Sequence, residues 1–117
     1  MRHEEKPEIV EIYDLLRQLG ITGNYLGFFH TAYAVYLAAR QPERLVLVTK
    51  WLYPEVAKHY DTTWNCVERN IRSVAALAWN GHREYLERLA QQPLPNKPTS
   101  SSFIAILTMY FKYEHIA

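Results

Sequence analysis

The stretch from Leu52 to Trp79, LYPEVAKHYDTTWNCVERNIRSVAALAW, constrains this chain more than any other. Tyr53-Pro54 opens a short helix, with proline in the first turn, where its missing N–H has no intrahelical partner to lose. Asp61-Thr62-Thr63 supplies a polar turn, and Thr63 is the predicted N-cap of a long second helix. Turning about 100° per residue from Trp64, Asn65, Glu68, Arg69, Arg72 and Ala76 fall on one side of that helix. Trp64, Val67, Ile71, Val74, Ala75 and Ala78 fall on the other. Ala57 is small where two helices must cross closely, and Val67 offers the second helix a β-branched core residue. This is the build of a helix-turn-helix, whose second helix buries its back in the core and meets base edges in the major groove with its front. Arg can fork onto guanine O6 and N7, and Glu can accept from cytosine N4. The same stripe is also what the solvated face of an ordinary amphipathic helix looks like. Helix corners occur in many all-α domains, so the residues alone leave both readings open.

A chain of 117 residues is one domain with room for a real core. Hydrophobic content of 49% against 21% charged places it among globular proteins and outside the disordered ones. The formal net charge is only +1, so any affinity for nucleic acid must come from where charges sit rather than from their sum. Cys66 is the one cysteine; it can close no intrachain disulfide and no zinc site, and a reducing cytoplasm is the expected location. The N-terminus, MRHEEKPE, has no apolar signal core, and no apolar run approaches the roughly 20 residues needed to cross a bilayer.

Residues 1–7 are expected to form a flexible arm, and residues 8–117 a single domain. Glu8 to Leu19 carries apolar residues at Ile9, Ile12, Tyr13, Leu16 and Leu19, a helical spacing ended by Gly20. A second helix is predicted from Asn24 to Arg40, with Tyr25, Phe29, Ala32, Tyr33, Tyr36 and Leu37 as its inner stripe and Gln41-Pro42 as its stop. The tyrosines could instead line a ligand pocket, but core packing is the ordinary use of such rings. Glu43 to Trp51 keeps a helical period through Leu45, Val48 and Leu52 despite its valines. Asn80-Gly81 should end the long helix, with Gly81 in the left-handed C′ position. A short helix from Arg83 to Ala90, a proline-rich loop over 91–98 and a last helix from Ser100 to about His115, capped by Thr99, complete the chain. The last helix is expected to bury Phe103, Ile106, Leu107, Tyr110 and Phe111. The predicted fold is an all-α bundle of about six or seven helices containing a helix-turn-helix.

These residues carry a resemblance. Leu52-Tyr53-Pro54, Ala57-Lys58, Thr62-Thr63, Val67-Glu68-Arg69, Ile71-Arg72 and Ala78-Trp79 resemble the C-terminal DNA-binding effector domain of the stage zero sporulation protein A family. Lys97-Pro98-Thr99, Phe103-Ile104-Ala105 and Glu114-His115 extend the likeness over nearly everything after residue 8. The resemblance implies a transcription regulator whose recognition helix, residues 64–79, enters the major groove of a promoter element close to TGTCGAA. It implies base contacts by Glu68, Arg69 and Arg72, the residues the stripe selects. It gives Lys58 a phosphate role, with Thr63 and Asn65 beside it at the amide-rich start of the helix. It implies a contact between the last helix and RNA polymerase sigma factor, with Phe103, Lys112, Glu114 and His115 as the candidates, and assembly of two copies in tandem on paired sites.

The chain also departs from the family pattern. Ser73 stands where the family often has a basic residue, which puts one DNA contact in doubt, and Ser102 stands where an acid would complete a capping box with Thr99. The region after Trp79 is a few residues shorter. The family protein carries a phosphoacceptor receiver; no receiver-like β/α alternation appears here, and the phosphorylation switch is expected to be absent from this polypeptide. The alternative function is an interaction module that modulates a sigma factor or a full-length homologue without touching DNA. An enzyme is not expected, for there is no Gly-rich phosphate loop, nucleophile motif or carboxylate pair. No cofactor is expected either, and none of the five histidines has a metal-ligand spacing on one helix face. His59 lies near the expected DNA surface, either as a phosphate contact or simply in solvent.

Overall fold

The computed structural model describes residues 5–114, which contain α-helices, one 3-10 helix, one π-turn and, among the described residues, no strand. The helices are α1 (Glu5–Gln18), α2 (Leu26–Arg40), α3 (Val48–Trp51), α4 (Tyr53–His59), α5 (Trp64–Ala90) and α6 (Ser100–Met109). The all-α bundle is therefore as expected. Helix α1 starts at Glu5, so positions 5–7 of the expected arm are helical, and the remaining four lie outside the described residues.

Helix α2 is the axle of the molecule: α1, α4, α5 and α6 all pack on it. This overturns the expected inner stripe. The buried residues are Gly27, Phe28, His30, Thr31, Ala32, Ala34, Val35 and Ala38, whereas Tyr25 and Phe29 are exposed and Tyr33, Tyr36 and Leu37 sit half-buried at the rim. A helix enclosed on several sides has no single apolar stripe. It is the small residues that let neighbours approach, and the large rings are displaced to the edges.

The segment expected as one helix over 43–51 is a 3-10 helix, Pro42–Leu47, followed by the single turn α3. Neither buries a residue fully, and the apolar contact with the core comes only from the half-buried Leu45 and Val48. Helix α5 breaks just after Asn80-Gly81, as expected, although Gly81 does not take the left-handed conformation. The helix continues to Ala90 across a kink at His82 (φ −142°, ψ 44°), and its left-handed cap is Gln91 (φ 59°). The glycine that needs a positive φ is Gly20 (φ 84°) at the end of α1, and a Cβ there would lie 2.7 Å from the His82 ring. The kink of α5 and the end of α1 are thus fitted to each other, and the Tyr85 hydroxyl donates to Gln18 across the same junction. Thr99 caps α6 by accepting from the Ser102 amide at 3.1 Å. The last helix stays α only to Met109 and widens into a π-turn over Tyr110–Glu114.

Candidate nucleic-acid interface

Helices α4 and α5 form the helix-turn-helix. Ala57 and Val67 are both buried, as a close crossing requires. The turn is closed by the Thr62 amide donating to the Ala57 carbonyl at 2.9 Å, and Asp61 takes the left-handed conformation (φ 57°). The Thr63 hydroxyl accepts from the Cys66 amide at 3.2 Å and starts α5.

The back of α5 from Val67 onward is core: Val67, Ile71, Val74, Ala75 and Ala78 are buried. Its front carries Asn65, Arg69 and Arg72 in solvent, with Glu68 and Ala76 partly covered. Arg72 Nη2 lies 3.1 Å from Glu68 Oε1, and the Arg72 side chain keeps 56% of its surface while Glu68 keeps 27%. Glu68 therefore holds Arg72 by an i,i+4 pair. Arg69 makes no hydrogen bond or ion pair among the described residues. Lys58 and Thr63, the other expected phosphate groups, are exposed around the same turn. Trp64, placed on the apolar side by the helical wheel, is 42% exposed. It stands at the first position of α5, ahead of Val67, where the core stripe begins.

The seat of this helix was not visible in the sequence. A Cβ at Gly27 would come within 2.4 Å of the Asn70 carbonyl oxygen and 2.5 Å of Val74 Cγ2, so α2 and α5 touch backbone to backbone there. One turn along α2, buried His30 receives a hydrogen bond at Nδ1 from Asn70 Nδ2 at 3.3 Å, and the same amide donates to Cys66 Sγ at 3.5 Å. Burial lowers the His30 pKa from the ordinary 6.5 and favours the neutral ring, whose Nδ1 can accept. On the other flank the buried Tyr53 hydroxyl pairs with Ser100 Oγ at 2.8 Å, joining the start of α4 to the start of α6. Burial above all, with a contribution from the Glu68 carboxylate, pushes the Tyr53 phenol upward and keeps it neutral. These contacts join residues far apart in the chain and leave no local pattern to read.

The last-helix candidates fare differently. Phe103 is fully buried and packs the core, so it is no contact surface. Lys112 Nζ donates to the Ala39 carbonyl at 3.0 Å and ties the π-turn to α2. Glu114 closes that turn in the backbone, and His115 lies outside the described residues. The His59 ring stacks on Tyr33 at 4.1 Å between centroids, an internal partner for a group placed near the DNA surface.

A capped helix with an exposed arginine stripe, seated on a glycine crossing and placed second in a helix-turn-helix, is joined by a family match. A model of the family described as Sporulation initiation factor Spo0A C terminal matches residues 12–111 of the 117-residue chain. The chain belongs to this family. The Spo0A C-terminal domain is a DNA-binding effector domain of a sporulation regulator, and its class is not a catalytic one. The match runs from within α1 to the start of the π-turn and so takes in α2 to α6 of this chain. Among the described residues no helix is long and apolar enough to cross a membrane.

Proposed function

We propose that this chain regulates transcription by placing residues 64–79 of α5 in the major groove of a TGTCGAA-like element. One observation carries this reading: Arg69 and Arg72 project from a firmly seated helix with at most one internal partner between them. Arg69 and Arg72 fork onto guanines, while Glu68 fixes the Arg72 guanidinium or accepts from a cytosine. Lys58, Thr63 and Asn65 set the register on phosphates, assisted by the free amides at the start of α5. Two copies occupy paired elements in tandem, and the protein acts in the cytoplasm, where the chromosome is. Sigma factor is the partner proposed for the bound complex.

Arg69→Ala and Arg72→Ala should each cost about 1–3 kcal/mol of binding to the element. Lys58→Ala should weaken all sequences alike and flatten the salt dependence by about one unit. Gel-shift titrations on TGTCGAA and scrambled duplexes at several salt concentrations measure both. Equal affinity of the two arginine variants and the parent chain for the element would sink the assignment. Retained binding to sigma factor with no binding to the element would favour the interaction module instead.

A further inference from the structure

The exposed side of α5 begins at its first residue, Trp64. Trp64, Glu68 and Arg72 follow one another at intervals of four residues and form a single ridge, the last two joined by their ion pair. Trp64 is the N-terminal end of that ridge. It is 42% exposed, and among the described residues it has neither a hydrogen-bond partner nor a ring partner. Its immediate chain neighbours are uncharged: Asn65 follows it and the N-cap Thr63 precedes it. In a docked helix-turn-helix the N-terminal residues of the recognition helix are the ones that contact base edges. An exposed indole at that end has one chemical partner in the groove that a charged side chain cannot serve, the 5-methyl group of thymine.

We propose that Trp64 is a further sequence-determining residue, packing its indole against a thymine methyl at the end of the site opposite to that read by Arg72. The inference rests on the DNA-binding reading given above. Eight residues separate the two side chains, about 12 Å along the helix axis, or roughly three to four base pairs at 3.4 Å each. Trp64 and Arg72 therefore address different base pairs, and Trp64 adds an apolar requirement that Glu68, Arg69 and Arg72 do not impose.

The test replaces each thymine of a TGTCGAA duplex, on both strands, by uracil, which lacks only the methyl. The parent chain should bind one substituted duplex about fourfold more weakly, the worth of one buried methyl. Trp64→Ala should bind the unmodified duplex more weakly and no longer distinguish thymine from uracil at that position. Circular dichroism should show it folded, since the ring is not part of the core. If no uracil duplex differs from the parent duplex for the unaltered chain, Trp64 reads no methyl and the inference is overturned, with no variant needed. A uniform loss on all duplexes in Trp64→Ala, with thymine and uracil still distinguished, overturns it as well. Arg69→Ala and Arg72→Ala run in parallel: if they bind normally, the DNA reading has failed, and if they lose binding while Trp64→Ala behaves as the parent, only the Trp64 assignment has.

Discussion

Helix α5 carries arginines in both halves, on either side of the kink at His82, and uses them in opposite ways. In the C-terminal half, Arg83 lies over the Trp79 ring at 4.2 Å, donates to Glu87 at 3.3 Å and donates to the Leu94 carbonyl at 2.9 Å. Glu87 in turn accepts from the Leu94 amide at 2.8 Å, so the pair clasps the loop that follows α5. In the N-terminal half, Arg72 has one carboxylate and Arg69 has no such partner among the described residues. Composition cannot distinguish these arginines, but satisfaction can. A guanidinium with its fork occupied serves the fold, while one left open on a rigid helix is available to an external acceptor.

The largest break in this comparison should come from below the N-terminal half. Gly27→Ala places a methyl 2.4 Å from the Asn70 carbonyl and 2.5 Å from Val74. The better helix propensity of alanine returns about 1 kcal/mol, and overpacking against backbone costs about 3 kcal/mol or more. The net loss should appear in urea unfolding, and DNA affinity should fall with it because the recognition helix loses its seat. Unchanged unfolding in Gly27→Ala would mean that α2 and α5 do not meet as closely as described.

A smaller effect separates the two arginines themselves. Arg83→Ala removes a ring contact and a carbonyl partner and should cost about 1 kcal/mol of stability while leaving affinity for the element unchanged. Arg69→Ala should move stability by less than about 0.5 kcal/mol and lose DNA. Unfolding and gel shift on the same two variants check the contrast, which collapses if Arg83→Ala is the one that loses DNA.

The sequence made some of this legible because the information was local. The Thr63 and Thr99 caps, the small Ala57 at the crossing and the Asn65, Glu68, Arg69 and Arg72 stripe depend on residues within a turn or two of each other, and the structure places them accordingly. What escaped was set by partners distant in the chain. The rotation of α2 follows from enclosure by four other helices, which no periodicity records. Gly81 marks the break in α5, but the residue that leaves helical geometry is His82, whose ring lies against Gly20 of α1. Gln91 carries the left-handed cap without a residue type that announces it. The wheel gave Trp64 a direction but not the fact that it stays 42% exposed.

The smallest expected effect is a difference in pH dependence between the halves. His30, beneath the N-terminal half, has its pKa lowered by burial. The unfolded chain then binds its proton more readily, so this stability is fully present above the ordinary value of 6.5 and is lost as pH falls from there toward the folded value. Glu87, in the C-terminal half, has its pKa lowered chiefly by the Leu94 amide, with Arg83 helping. Its contribution is present above the ordinary 4.5 and is lost only as pH falls through the folded value below it. Acidification should therefore loosen the recognition helix before it releases the loop. His30→Asn keeps an acceptor near the position of Nδ1 and cannot titrate, so it should remove the decline between pH 7 and pH 5.5, windows set by about 6.5 for histidine, and leave the lower one in place. Glu87→Gln should do the reverse. Unfolding titrations across that range decide it: a decline above pH 5.5 that survives in His30→Asn would place the sensitive group elsewhere than under Asn70.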